Sequence, residues 1–168
     1  IELLPFRHAV ARGVATMMTA HVLYHALDDQ RPATLSPTII GNLLRKELRY
    51  DGVVLTDDLE MHAIIDHYGI EEATVQSILA GCDMPLICKD RNREAAAISA
   101  LDKAVADGTI SSQRLEVSLA RIARLKQRFL IPNKPVVLSD AKLAVGCRTH
   151  RALLRSITQA WERVARPA

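Results

Sequence analysis

Two adjacent acids, Asp57 and Asp58, close the apolar run Val53-Val54-Leu55. The C-terminal end of a buried parallel strand is where α/β folds keep their reactive groups. A carboxylate placed there can act as a nucleophile or stabilise a developing cation. The same residues also have a purely structural reading. Asp57 followed by Glu60 fits a helix start in the manner of a capping box, although that motif prefers Ser or Thr, and Thr56 is a second candidate cap. The two roles are compatible, because a carboxylate at a helix N-terminus stays ionised near neutral pH. Asp58 then falls in the first helical turn and serves the dipole.

Other reactive residue types form weaker patterns. His21 closes the apolar run "VATMMTA" and makes an H-x-x-x-H spacing with His25, but the intervening residues are not those of an HExxH metalloprotease helix. By itself His21 reads as a buried, hydrogen-bonded histidine. His62 and Asp66 share a helix face. No group has convincing ligand spacing, so no metal is expected. There is no G-x-S-x-G elbow and no serine at a strand end. Cys82, Cys88 and Cys147 are odd in number and lack any CxxC pairing. They read as free thiols in a reducing compartment, which implies a cytoplasmic protein. Cys82 looks buried, and nothing marks Cys88 as activated. Lys89 and Asp90, at the end of a third run, read as loop charges.

These groups need elements to position them. Residues 3–12 read as a helix closed by Gly13, and 14–20 as a strand buried on both faces. Ser36 caps a helix with Pro37 at its first position. Its apolar residues Ile39, Ile40, Leu43, Leu44 and Leu48 recur at helical spacing. A strand over Val53–Thr56 precedes a helical stretch near 58–80, broken about Gly69. "DMPLIC" (83–88) reads as a third strand, 93–106 as an Ala-rich helix, and Ser111 or Ser112 through Phe129 as a long helix. In that last helix Leu115, Leu119, Ile122, Leu125 and Phe129 form the expected buried stripe. Strands alternating with helices predict a parallel sheet, either open and doubly wound or part of a (β/α)8 barrel. Neither GxGxxG nor GxxxxGK[ST] is present to favour a nucleotide-binding open sheet.

Composition sets bounds on function. The chain has 168 residues, 49% hydrophobic and 24% charged, with a net charge of +3. That suffices for one globular core. The basic residues are dispersed and aromatics make up only 4%, so no nucleic-acid surface is expected. No apolar run reaches the ~18 residues of a membrane span, and no signal peptide is visible. No membrane association is expected. The chain starts at Ile1 in residues that already read as helical, so the sequence is expected to continue a longer protein.

The order "GVATMMTAHVLY", "PATLS", "LLRKEL", "DGVVLTDDLEM", "AGCDMPLIC" and "DGTIS" with "RLEVSLARIARLK" resembles glycoside hydrolase family three, in its bacterial β-N-acetylglucosaminidase branch. The resemblance runs to about Phe129. It implies an α/β fold that is the C-terminal part of a (β/α)8 TIM-type barrel, with about three parallel strands and flanking helices. Residues 1–130 would be partial barrel and 131–168 a linker and helical tail. It also implies a retaining hydrolase that removes β-linked N-acetylglucosamine from peptidoglycan fragments, with no cofactor. The family nucleophile, the first acid after the strand, maps onto Asp57. His21 and Met61 match rim positions and are expected to help line the substrate site.

The sequence departs from the family pattern in one respect. The branch places its acid/base on a loop like K-H-F-P-G-H-G with an Asp-x-His shortly after, and no such segment occurs here. His21 lies on the wrong strand to take that role. Three strands cannot close a barrel, so the chain is expected to pair with a missing N-terminal half or with itself, and to lack glycosidase activity alone. The alternatives are a non-catalytic half-barrel used for binding or assembly, and a sugar phosphorylase of the same family.

Overall fold

Three short strands form one parallel sheet in the order β1 (Thr16–Met18), β2 (Val53–Asp58), β3 (Met84–Leu86). The computed structural model describes residues 1–133 and 135–165. They divide into two units, Ile1–Phe129 and a second that begins at Leu130. The first holds the sheet with α1 (Leu4–Ala11), a 3-10 turn (Ala33–Leu35), a π helix (Pro37–Glu47), α2 (His62–Tyr68), α3 (Ile70–Ala80), α4 (Arg91–Ala106) and α5 (Ser112–Leu130). The second holds α6 (Leu138–Ala144) and α7 (Arg148–Ala165). In α7 the apolar residues Leu153, Leu154, Ile157, Trp161 and Val164 are all exposed. Among the described residues no helix is long and apolar enough to cross a membrane.

The strand–helix alternation read from the sequence is present, as the parallel part of a TIM-type architecture. Val54 packs with Ile40, Tyr50, Ala80 and Cys82, so one side of β2 is covered by the π helix and α3. The register places Met18 and Met84 on either side of Leu55. Cross-strand partners share a face, and Met18 and Met84 are 56% and 36% exposed. Around these two methionines that face is apolar and partly open, whereas Val53 on it is buried, and among the described residues β1 and β3 each have an unpaired edge.

Ser36 caps the helix after it as expected, its Oγ accepting from Ile39 N–H at 3.1 Å. The helix itself is π-type, with Leu48 N–H bonded to Leu43 O at 2.9 Å. Apolar spacing alone does not separate π from α winding. Gly41 permits close approach to α3, since a Cβ there would stand 3.4 Å from Ala80 O. Gly81 makes the turn into β3 with φ 121°, a conformation open to glycine but strained for other residues.

The N-terminal end of the sheet is held by a buried carboxylate. Asp83, with a fully buried side chain, pairs with Arg45, with Arg121 at 3.3 Å and with Arg114 at 3.6 Å. It also accepts from Ser118 Oγ at 2.7 Å and Val54 N–H at 3.0 Å. Arg45 reaches on to the carbonyls of Tyr50, Gly52 and Gly81. Burial lowers the pKa of Arg45 and Arg114, and Asp83 acts against it.

This hub corrects the expected orientation of α5. Of the expected stripe Leu115, Leu119 and Phe129 are exposed, while Ile122 and Leu125 are half-buried. The face that meets the rest of the unit is Arg114, Ser118, Arg121 and Arg128, spaced by one or two turns. Arg121 and Arg124 grip Asp51 ahead of β2, and Arg128 donates to Gly13 O ahead of β1. Matched charges beneath the strand starts supply much of the contact face, so the apolar periodicity marked it only in part.

Candidate active site

The C-terminal end of β2 carries both acids. β2 runs through Asp58, and α2 begins only at His62 with Met61 as its N-cap residue and no side-chain cap bond. Neither Asp57 nor Thr56 caps that helix, and Asp58 is not in its first turn. This corrects the capping reading. Extended pairing with β3 outcompetes an early helix start, because Leu59 N–H bonds to Leu86 O at 2.9 Å.

The pairing is irregular at this point. Leu55 pairs with Met84 and Asp58 with Leu86, so three steps on β2 match two on β3. Thr56 Oγ1 fills the gap by accepting from Leu86 N–H at 2.8 Å. Such a bulge bends the strand and re-aims the side chains beside it. Asp57 sits in the bulge, half-buried, with Oδ1 accepting from Asp58 N–H at 2.8 Å. Among the described residues its Oδ2 has no hydrogen-bond partner. One oxygen is oriented and the other carries no such bond.

His21 reaches the same turn from beyond β1. Its Nε2 lies 2.9 Å from Asp58 O, and its Nδ1 lies 2.8 Å from Thr34 Oγ1. Met61, in the loop after β2, is 45% exposed. His62 pairs with Asp66 at 3.0 Å on the exposed surface of α2. Asp90 caps α4 through Asn92 N–H at 2.8 Å.

The family model described as "Glycosyl hydrolase family 3 N terminal domain" matches residues 1–125. The chain belongs to this family. The beta-hexosaminidase A of Pseudoalteromonas piscicida is 35% identical over 170 residues, covering 90% of this chain and 28% of the relative. Among solved structures, a family 3 β-N-acetylglucosaminidase from Paenibacillus sp. str. FPU-7 superposes with a TM-score of 0.79 at 47% identity. That match covers 88% of this chain and 27% of the Paenibacillus chain. The β-N-acetylglucosaminidase from Thermotoga maritima gives a TM-score of 0.69 at 34% identity, over 74% of this chain and 28% of that one. The chain thus spans little more than a quarter of the length of these family 3 relatives.

Glu60 has a role in this family 3 domain that local sequence reading missed. Its carboxylate accepts from the N–H groups of Cys88, Lys89 and Asp90 at 2.9, 2.6 and 3.2 Å, and from Arg93 at 3.3 Å. It ties the loop after β2 to the loop after β3. Burial acts to raise its pKa, but the three N–H donors and Arg93 outweigh it and hold the carboxyl below its usual range. Only its spacing from Asp57 was visible in sequence, and that spacing imitates a cap.

The clamp is therefore present above the unfolded-state pKa near 4.5 and is lost as pH falls through the lower folded value. Glu60→Ala is expected to speed amide exchange at residues 88–90 and leave β2 protected. Wild-type chain taken well below pH 4.5 should show the same local change. Hydrogen exchange read by mass spectrometry checks both.

The thiols here are not activated. Burial pushes Cys82 up to about 12. Cys88 is raised by desolvation and then by the negative charge of Asp58 and Glu60.

Proposed function

We propose that Asp57 is the nucleophile of a retaining glycosidase acting on β-linked N-acetylglucosamine in peptidoglycan fragments. The observation that carries this reading is Asp57 itself: an acid at the end of a parallel strand, set in a bulge, with one oxygen held by Asp58 N–H and the other free. The hexosaminidase and N-acetylglucosaminidase relatives support the substrate class.

The free oxygen attacks the anomeric carbon as the bond to the leaving oxygen breaks. A general acid supplies a proton, so the aglycone departs as an alcohol. The sugar is left joined to Asp57 through an ester. Water, deprotonated by the same acid/base group, then attacks the anomeric carbon and frees Asp57, with net retention. Met61 and His21 line the saccharide at the rim. His21 does so through its ring, since both nitrogens are engaged. No metal or organic cofactor takes part. The three free cysteines support a reducing compartment.

The acid/base comes from strands other than these three. The open edges of β1 and β3 and the exposed Met18 and Met84 support assembly with the rest of a barrel. Residues 1–130 are the part that assembles; the linker and tail assigned to 131–168 include residue 134 and residues 166–168, which lie outside the described residues. Purified alone, the chain is expected not to turn over a chromogenic N-acetylglucosaminide. Co-expressed with the upstream strands of the Paenibacillus relative, it should do so. Turnover by the chain alone, abolished by Asp57→Asn, would refute the need for assembly.

A further inference from the structure

We infer that His21 is a positioning residue for Asp57, acting through both ends of the Asp58 backbone. The inference rests on Asp57 being the nucleophile. Asp58 N–H is the donor that orients the Asp57 carboxylate. Asp58 C=O, on the other side of the same residue, accepts from Met61 N–H at 3.1 Å and from His21 Nε2 at 2.9 Å. A carbonyl only accepts, so Nε2 carries the proton. The rotation that would turn Asp58 N–H away from Asp57 is therefore resisted by the imidazole.

The imidazole is itself held. Nδ1 lies 2.8 Å from Thr34 Oγ1, which lies 2.8 Å from Thr19 Oγ1. In neutral histidine the protons run one way: Thr19 donates to Thr34, Thr34 donates to Nδ1, and Nε2–H donates to Asp58. Thr34 is fully buried in the 3-10 turn, beside the buried Ala33 and Leu35. Thr19 is fixed to the sheet by its own N–H on Leu55 O at 2.9 Å. A chain of three side chains thus runs from the end of β1 to the turn that presents Asp57. Its hydrogen-bonded pairs are 13 to 37 residues apart in sequence, so nothing local requires them. It bridges β1 to the tip of β2 beyond Met18 and Leu55, the last residues those two strands pair, where the backbone is otherwise tied to the sheet only through β3.

Two measurements test this. In the chain itself, His21→Ala is expected to raise the exchange rate of the Asp58 amide by about tenfold, the effect of losing one hydrogen bond to a held segment, with the Val54 amide unchanged. His21→Gln, whose amide N–H can reach the same carbonyl, should restore protection in part. Equal Asp58 exchange in wild type and His21→Ala would overturn the inference. In the assembled barrel, His21→Ala should lower kcat by roughly tenfold to a hundredfold, a larger change than the rise in KM from losing the ring beside the saccharide, since positioning acts on the transition state. Thr34→Val, which removes only the relay hydroxyl, should show a smaller loss of the same kind. A change confined to KM, or none, would count against positioning. If Asp57→Asn keeps full turnover, the nucleophile assignment fails instead, which separates the two outcomes.

Discussion

Asp57→Asn in the assembled barrel is expected to cut turnover of a chromogenic N-acetylglucosaminide by about 10⁴-fold or more, the scale seen when a covalent nucleophile is removed. Asparagine preserves size and keeps an oxygen for Asp58 N–H, so the turn that Asp57 Oδ1 helps to hold should survive. The loss is then chemical. The amide cannot form the glycosyl ester, and the KM for substrate should change little beside kcat. Asp58→Asn provides the contrast. The Asp58 carboxylate accepts from Glu60 N–H at 3.1 Å and its backbone takes the bond from His21. That substitution should cost far less than the one at Asp57. Steady-state kinetics on the two variants separates the acids, which adjoin in sequence and differ in surroundings.

The second large effect is on stability. Asp83→Ala removes the shared partner of Arg45, Arg114 and Arg121, whose side chains are only 10%, 21% and 14% accessible. Removing one member of a buried, hydrogen-bonded ion cluster costs about 3–5 kcal/mol, because the remaining charges stay buried without compensation. Val54 N–H and Ser118 Oγ lose their acceptor as well. Urea unfolding followed by circular dichroism should record a loss in that range. Ser118→Ala, which removes one hydroxyl, should cost about 1 kcal/mol. A loss under about 1 kcal/mol for Asp83→Ala would mean that the arginines find water or other acceptors.

How much of this was readable in advance depended on the range of the interaction. Ser36 with Pro37 announces a helix start through contacts within three residues, and the structure places the cap there. The break at Gly69 also lies where sequence put it. Asp57 was marked by an apolar strand running into acid, a local signal. Glu60 was misread because its partners lie 28 to 33 residues away. At short range it looks like the third position of a capping box. Asp83 gave no signal, because its three arginines come from two helices and only the fold brings them together. The stripe of α5 failed in part for the same reason. Leu115, Leu119 and Phe129 have helical spacing, yet Arg114, Arg121 and Arg128 find matched charges and carbonyls beneath the sheet. The bulge at Asp57 depends on the Thr56 hydroxyl replacing a backbone acceptor, which pattern alone cannot specify.

The nucleophile can be identified by trapping. The assembled barrel would be incubated with an N-acetylglucosaminyl fluoride bearing a second, ring fluorine that slows release of the ester. Fluoride leaves as the Asp57 ester forms, and peptide mapping by mass spectrometry locates the added sugar. The adduct is expected on the peptide that contains Asp57, at one sugar per barrel, and absent in Asp57→Asn. An adduct on another residue, or rapid turnover by Asp57→Asn with no adduct, would contradict the assignment of Asp57.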